Sequence, residues 1–470
     1  MARTLVLLAA LLLAGCLGTP AGLQGPGGAP GPGSVACMER CAQLLDGTAS
    51  RPWEPSVAAD PTDPLHLLAG TTLWERDAAG LPRGWLQAEV SRDGGATWQA
   101  SRIPAGLEAG PTHPLAAANS LGDAVVAFLP DGTALFAGLA YDHVGLTNSR
   151  AGSVAFARWA YSLFVARSHD GGLTWPETSV VARGQGVLAL ATAPQPVGLL
   201  GAELLWDAND KPWLAVGPDG TVLATWSELI TLGPKDPLGG RADIVASVSR
   251  DGGVTWSVPA VVEQGGYFLG AAPVIAAGGW HVAYEDLLTQ DMRLATSSDQ
   301  GATWRSQAMG KASPFPAMAV QPLPSGGERL LLAYSDGSEG KTCPFYFECY
   351  RQAPTLRWSD DGAASWSAPV TLDEAAEPGR TVPEIAVDRE GTAWLTFFHP
   401  TGEASTELRA AAFRDGRASA PVKLTSIGAA SSDLGDYAGL AALPRGAFTV
   451  FVTSQDRVEF DLAGARVGPA

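Results

Sequence analysis

The stretch SRDGGATW, from Ser91 to Trp98, recurs along the chain and decides its fold. SHDGGLTW begins at Ser168, SRDGGVTW at Ser249 and SSDQGATW at Ser297, so the pattern Ser-x-Asp-x-Gly-x-Thr-Trp occurs four times. A fifth copy, SDDGAASW from Ser359, keeps the Ser, Asp and Trp but lacks the Gly and the Thr. A pattern of this length that returns so often marks a protein built of repeats.

The chemistry of this box is that of a turn between two strands. Its carboxylate can accept hydrogen bonds from backbone N–H groups just ahead, and its Gly takes a positive φ at little cost. The segments before the boxes, such as SLFVARS and DIVASVS, alternate in the manner of a strand that enters a hairpin. We interpret the box residues as structural, because a catalytic carboxylate would not be needed five times. They are Ser91, Asp93, Gly95, Trp98, Ser168, Asp170, Gly172, Trp175, Ser249, Asp251, Gly253, Trp256, Ser297, Asp299, Gly301, Trp304, Asp361 and Trp366.

The box resembles the Asp box, or BNR repeat, of sialidase-like β-propellers, and the resemblance covers residues 53–466. It implies a fold but no particular activity, since that group also includes propellers that are not enzymes.

Seven pairs of short apolar runs, each split by a Gly turn, set the number of repeats. DAVVAFLPDG/TALFAGLA is one such pair. The first five pairs are followed by a box, the sixth by a decayed box around Asp415, and the seventh by a third strand alone. Four short strands per unit predict an all-β chain that forms a single β-propeller. We predict seven blades, with the segment near Ala36 to Arg51 closing the ring; six blades, as in familiar sialidases, are the alternative.

The N-terminus has the layout of an export signal. After Arg3, an apolar run from Leu5 to Leu13 is too short to anchor the chain across a bilayer. Leu-Ala-Gly-Cys ending at Cys16 resembles a bacterial lipobox, which implies cleavage before Cys16 and a lipidated N-terminus; an ordinary signal peptide is the alternative. We predict a signal peptide (1–15), a lipid-anchor Cys with a Gly/Pro-rich tether (16–35) and a propeller (36–470) at the bacterial cell envelope, in the outer membrane or at the cell surface.

Composition excludes several classes of function. The net charge of −17 argues against nucleic acid and against adsorption to anionic lipid. The six His are scattered, so we predict no metal site and no cofactor. WDAND, Trp206 to Asp210, could offer oxygens to Ca²⁺ but lacks the full spacing of a known loop site. An even number of Cys in an exported chain favours disulfides, with three connectivities and local pairs the simplest, among Cys37, Cys41, Cys343 and Cys349.

The lengths of the loops between strands indicate which side of the disc carries the functional site. In antiparallel blades the short loops between first and second strands lie on the same side as the boxes, which we name the box face. The long connections, Tyr141 to Tyr161, Glu228 to Arg241, Ser335 to Pro354 and Arg183 to Lys211, lie on the opposite side, the loop face. Because functional residues concentrate in long loops, we expect the site on the loop face.

The resemblance to sialidases implies a particular set of catalytic groups. These are three arginines that clamp a carboxylate, a Tyr nucleophile activated by a Glu, and an Asp acid/base. In GDYAGLAALPRG the matching nucleophile is Tyr437, and in LWERDAAG the matching Arg and acid/base are Arg76 and Asp77. Glu285 is our candidate partner for Tyr437, in competition with Glu203 and Glu228.

One departure weighs against this activity. The family has an Arg two residues before a Pro in its first strand, whereas this chain reads Pro52-Trp53-Glu54-Pro55. We therefore expect the loop face to bind a glycan or an extracytoplasmic protein without turnover. The alternatives are an exo-α-sialidase or related retaining glycoside hydrolase, and an assembly or scaffold factor for envelope proteins.

Overall fold

The repeats fold into antiparallel sheets whose strands hydrogen-bond in chain order. The computed structural model describes residues 35–37, 43–44, 51–76, 82–144, 157–184, 186–188, 205–231, 240–337, 352–374, 377–457 and 459–469. Near-continuous apolar runs such as DAVVAF form the inner strands, because these strands are covered by neighbouring blades on both sides. Among the described residues, no helix has the length and apolar character needed to cross a membrane.

Seven blades surround one axis. The first strand of each blade contacts the first strands of both neighbouring blades, and the last blade contacts the first, so the ring is closed. The prediction of a seven-bladed propeller with four-stranded blades is confirmed. In blades 1 to 4 the strands are Arg51–Ala59, Leu67–Arg76, Pro82–Ser91 and Gln99–Arg102; Ser120–Phe128, Ala134–Val144, Ala157–Ser168 and Glu177–Arg183; Leu205–Val216, Val222–Thr231, Arg241–Ser249 and Ala260–Glu263; Phe268–Ala276, Gly279–Asp286, Asp291–Ser297 and Arg305–Lys311.

Blades 5 to 7 depart further from the regular pattern. In blade 6, Val422–Ile427 adds a second partner to the third strand, and Gly186–Leu188 joins blades 2 and 3. The short helical segments are Gly106–Ala109 and the 3₁₀ turn Ser431–Leu434. The strands are Ser313–Pro322, Glu328–Asp336, Ala353–Ser359 and Val370–Thr371; Glu384–Val387, Ala393–Gly402, Ser405–Arg414 and Arg417–Ala418; Gly439–Ala442, Ala447–Ser454 and Phe460–Pro469.

The N-terminal part of the chain completes the last blade. Val35–Cys37 and Gln43–Leu44 both pair antiparallel with Phe460–Pro469, the third strand of blade 7. The sequence prediction that the segment near Ala36 to Arg51 closes the ring is confirmed.

Each box is a hydrogen-bonded staple on the box face. In the first box, Thr97 donates from its hydroxyl and its backbone N–H to Asp93, over 2.6 and 2.8 Å, which lowers the pKa of Asp93 to about 2. Gly95 has a φ of 95° and lies against Phe448 of blade 7, which also packs on Trp98 with 5.6 Å between ring centroids. The box of one blade thus packs on the preceding blade.

Candidate axial binding site

Four blades carry the same irregularity in the first strand, a non-glycine residue with positive φ. Glu54, Asp123, Lys211 and Phe315 have φ values of 50°, 57°, 52° and 65°. All four strands lose register with the second strand at this point. A bulge re-aims the side chain of its extra residue. Here the bulges bring charged side chains of different blades together near the axis.

Lys211 is at the centre of this group. Its Nζ atom is 2.6 Å from Oε1 of Glu54 in blade 1 and 2.8 Å from Oδ2 of Asp436 in blade 7. The side chains of Lys211 and Glu54 are 12% and 2% exposed, so water screens the pair little. Burial alone would lower the pKa of Lys211, but the carboxylates of Glu54, Asp123 and Asp436 raise it well above its usual value. Lys211 is therefore a permanent cation. We name Glu54, Asp123, Asp210, Lys211 and Asp436 the axial cluster.

The two carboxyl groups that hold Lys211 differ in acidity. Burial raises the pKa of Glu54 well above its usual value. At Asp436 the effect of burial is outweighed by Lys211 and by Arg380, which also forms an ion pair with it, and its pKa is lowered. Asp436 is thus held as a carboxylate, and a proton in this part of the cluster resides on Glu54.

Asp123 and Asp210 form a second carboxyl pair in the axial cluster. The backbone N–H of Lys211 donates to both, over 3.2 Å to Oδ2 of Asp123 and 3.0 Å to Oδ1 of Asp210. Burial raises the pKa of Asp210 to about 7; the charge of Lys211 opposes this rise, and the charge and hydrogen bond of Asp123 add to it. Within the described residues, neither carboxyl lies within 4.0 Å of a side-chain nitrogen of Lys, Arg or His. Asp210 is therefore a carboxyl group that gains and loses a proton near neutral pH.

Two tyrosines of blade 2 lie beside this second pair. The rings of Tyr141 and Tyr161 meet edge to face with their centroids 4.7 Å apart. The Tyr141 hydroxyl lies close to Gly122, since a Cβ there would be 2.8 Å from it, and Asn209 donates to the Tyr161 carbonyl over 2.6 Å. Burial first, and then the Asp210 carboxylate, raises the pKa of Tyr161. Two aromatic rings and the acidic Asp210 therefore lie together at the loop-face end of the axis, which we name the axial mouth.

Three arginines on the loop face contact one turn, residues 431–436. They are Arg51, Arg380 and Arg457. Arg457 donates to Oδ2 of Asp433 over 2.7 and 3.0 Å, and Arg380 pairs with Asp436. Arg51 donates to the backbone carbonyl of Asp433 over 3.4 Å. The sequence did not identify a second or third arginine for a clamp; the structure gathers three, but they bind carboxylates and a carbonyl of the chain itself.

Tyr437, the predicted nucleophile, is in the core beneath Lys211. It is 1% exposed and packs between Trp213 and Phe315, with ring centroids 5.0 and 6.4 Å away. Its hydroxyl has no hydrogen-bond partner among the described residues. Burial, followed by the carboxylates of Glu54 and Asp123, raises its pKa well above the usual value, which disfavours the nucleophilic phenolate.

The other predicted catalytic residues are described to different extents. Glu285 is 1% exposed in blade 4, opposite Leu269, and burial followed by the charge of Asp286 raises its pKa. For Arg76 the structure describes the backbone, at the end of Leu67–Arg76. Asp77 lies outside the described residues.

The predicted lipid-attachment and disulfide residues lie mostly outside the described part of the chain. This applies to Cys16, Cys41, Cys343 and Cys349, while for Cys37 only the backbone is described. Of the WDAND motif, Asp210 belongs to the axial cluster. Within the described ranges, no group of three or more His, Cys, Asp or Glu could hold a metal ion.

Sequence reasoning missed most of the axial cluster, although a signal was present. Glu54, Asp123 and Lys211 are charged residues inside apolar first strands, in WEPSV, GDAVVAF and NDKPW. A charge in such a run is informative because charged residues are rarely buried without a partner. Each of these residues stands at, or just before, the start of the apolar run that predicts its strand, and a charge in that position resembles an ordinary loop residue.

No model of a known protein family matches the sequence, and no curated protein is significantly similar to it. Solved structures are similar in fold. A protein of unknown function from Dyadobacter fermentans is 18% identical over 93% of this chain and 99% of its own, with a TM-score of 0.51. A Hadza microbial sialidase is 14% identical, over 82% and 73%, with a TM-score of 0.46. A GH93 α-L-arabinofuranosidase of Fusarium graminearum is 15% identical, over 92% and 98%, with a TM-score of 0.47. At such identities the likeness concerns the fold alone.

Proposed function

We propose that this chain is a binding propeller that takes a glycan or an extracytoplasmic protein at the axial mouth of its loop face and does not turn it over. It would act from a lipid anchor at Cys16 on the bacterial cell envelope. The observation that carries the absence of turnover is the position of Tyr437, which is 1% exposed and has no activating partner among the described residues.

The ion pairs of the lysine and arginine side chains near the axis support the same proposal. A sialidase needs arginine forks that are free for the carboxylate of its substrate. Here Lys211 is held by Glu54 and Asp436, and Arg380 and Arg457 are held by Asp436 and Asp433. An incoming carboxylate would have to displace internal ones that are already in hydrogen-bonding position.

A hydrolase of neutral glycosides is the second candidate, and one observation favours it. Asp210 has its pKa raised to about 7 while that of Asp436 is lowered, and glycoside hydrolysis uses an acid and a carboxylate with opposite shifts of this kind. The assembly-factor alternative has no such observation in its favour.

Two assays separate these candidates. Purified protein is incubated with a fluorogenic sialoside and with a panel of neutral aryl glycosides, and is applied in parallel to a glycan array. We expect binding that is lost in Tyr161→Ala, retained in the box-face control Asp93→Ala, and unaccompanied by hydrolysis. Sialoside turnover that disappears in Tyr437→Phe would overturn the proposal, and turnover of a neutral glycoside that disappears in Asp210→Asn would establish the second candidate.

A further inference from the structure

The hairpin between the first two strands of blade 1, residues 60–66, carries a buried histidine on the box face. His66 is 1% exposed, and its ring meets the ring of Phe128 in blade 2 edge to face, with 4.8 Å between the centroids. Backbone hydrogen bonds of 3.0 Å join Asp60 to His66 and His66 to Asp63, so the hairpin is closed around this residue. The imidazole therefore has a fixed position between blades 1 and 2 and does not reach water.

Both ring nitrogens of His66 face oxygen atoms. Nδ1 is 2.9 Å from Oδ2 of Asp60, and Nε2 is 2.9 Å from the backbone carbonyl oxygen of Gly171, in the box of blade 2. A carbonyl oxygen and an ionised carboxylate only accept hydrogen bonds. A neutral imidazole has one N–H and one lone pair, so it would direct that lone pair at one of these oxygens. An imidazolium, with an N–H on each side, satisfies both contacts.

The surroundings of Asp60 hold it in the ionised form. Its Oδ1 accepts hydrogen bonds from the backbone N–H and from the hydroxyl of Thr62, each over 2.7 Å. Burial alone would raise the pKa of Asp60, but the hydrogen bonds from Thr62 and His66 outweigh burial and lower it. Asp60 is thus an acceptor at Nδ1 of His66, and the proton between the two belongs to the ring.

We propose that His66 is an imidazolium clamp that ties the hairpin of blade 1 to the box of blade 2, and that loss of its proton loosens the junction between these blades. The neutral ring keeps one donor, so two acceptors then face each other at 2.9 Å, at Asp60 or at Gly171. A proton held by the folded state stabilises it at low pH, and this stabilisation is lost as the pH rises. The charged and titratable groups on the segments packed around the ring are Asp60, Asp63, Arg92, Asp131, Asp170 and Arg389.

NMR of protein with isotope-labelled histidine reads the protonation of the ring directly. At pH 6 we expect the imidazolium pattern for His66, identified by its absence in His66→Gln. The matched control is His281, which is also buried but has one partner, the Thr296 hydroxyl at 3.0 Å. Burial lowers the pKa of His281 to about 4, so this ring should be neutral at pH 6. A neutral pattern for His66 at pH 6 would overturn the inference.

Asp60→Asn changes the chemistry of the clamp with little change in shape. The Asn amide donates to Nδ1, so a neutral ring with its proton on Nε2 satisfies both partners. In this variant we expect His66 to become neutral at pH 6, with the signals of His281 unchanged. An imidazolium pattern that persists in Asp60→Asn would show that Asp60 does not hold the proton, and the clamp would be wrong.

Urea unfolding at pH 5.5 and pH 8.5 measures what the clamp contributes to the ring. A hydrogen bond that involves a charged group changes an equilibrium constant by about tenfold or more. The ratio of unfolding equilibrium constants, His66→Gln over wild type, should therefore fall about tenfold between pH 5.5 and pH 8.5. The same ratio for His281→Gln should not change, because His281 is neutral at both values. A ratio for His66→Gln that is equal at the two pH values would refute the pH-dependent clamp.

Discussion

Replacement of Lys211 by Met tests whether the axial cluster is the electrostatic centre of the ring. Met keeps most of the volume and removes the ammonium, so Glu54, which is 2% exposed, loses its partner at 2.6 Å. Removal of one member of a buried ion pair costs about 3–5 kcal/mol. We expect the low end, about 3 kcal/mol in the free energy of unfolding at pH 8, because Glu54 can take up a proton and Arg380 still pairs with Asp436.

The pH dependence of this loss has a defined sign. Without the ammonium, the carboxyl groups of the cluster have folded-state pKa values further above their unfolded values. A group of this kind stabilises the fold in its protonated form, and that stabilisation is lost as the pH rises through the folded-state pKa. The deficit of Lys211→Met should therefore be smaller at pH 5 than at pH 8.

Urea unfolding, followed by tryptophan fluorescence, measures both effects. The control is Lys311→Met, which removes a lysine that is 51% exposed and 2.7 Å from Asp291. Exposed pairs contribute about 0–1 kcal/mol, so this variant should stay near the wild type. Equal unfolding free energies for the two variants at pH 8 would refute the view that Lys211 neutralises buried carboxyl groups.

Three further predictions concern the boxes and the core. Asp93→Asn should lower the free energy of unfolding by about 1–2 kcal/mol at pH 6, because it weakens the hydrogen bonds from Thr97. The difference from the wild type should narrow in acid titrations as the pH falls from 3.8 toward 2, where Asp93 takes up a proton. An equal deficit at pH 2 would contradict a stabilising role for the Asp93 carboxylate. Gly95→Ala places a Cβ 2.4 Å from the Phe448 ring and should lower the melting temperature more than Gly362→Ala, which has a similar positive φ but open space around it; equal losses would mean that backbone strain alone matters. Tyr437→Phe should leave the unfolding free energy within about 1 kcal/mol of the wild type, because its hydroxyl has no partner, and a larger loss would reveal a bond to that oxygen.

The repeat and its blades could be predicted from sequence because their signals are local. A box such as Ser91 to Trp98 fixes a turn within a few residues, and the alternation before it fixes a strand. The seventh repeat has only three strands of its own, which predicted that another segment supplies the fourth. Val35–Cys37 and Gln43–Leu44 take that position.

The axial cluster could not be assembled in this way, because its members meet only when the ring closes. Glu54 and Lys211 are 157 residues apart in the chain. Each is directed to the axis by a positive φ that propensity opposes, since a residue before Pro favours an extended backbone. The burial of Tyr437 could not be predicted either, because a motif gives the order of residues and not how far each side chain lies from solvent.

The strand that completes blade 7 also determines where the chain enters the ring. Val35 pairs with Pro469, the last residue of a third strand, and third strands end at the box face. The chain therefore enters the ring at the rim of the box face.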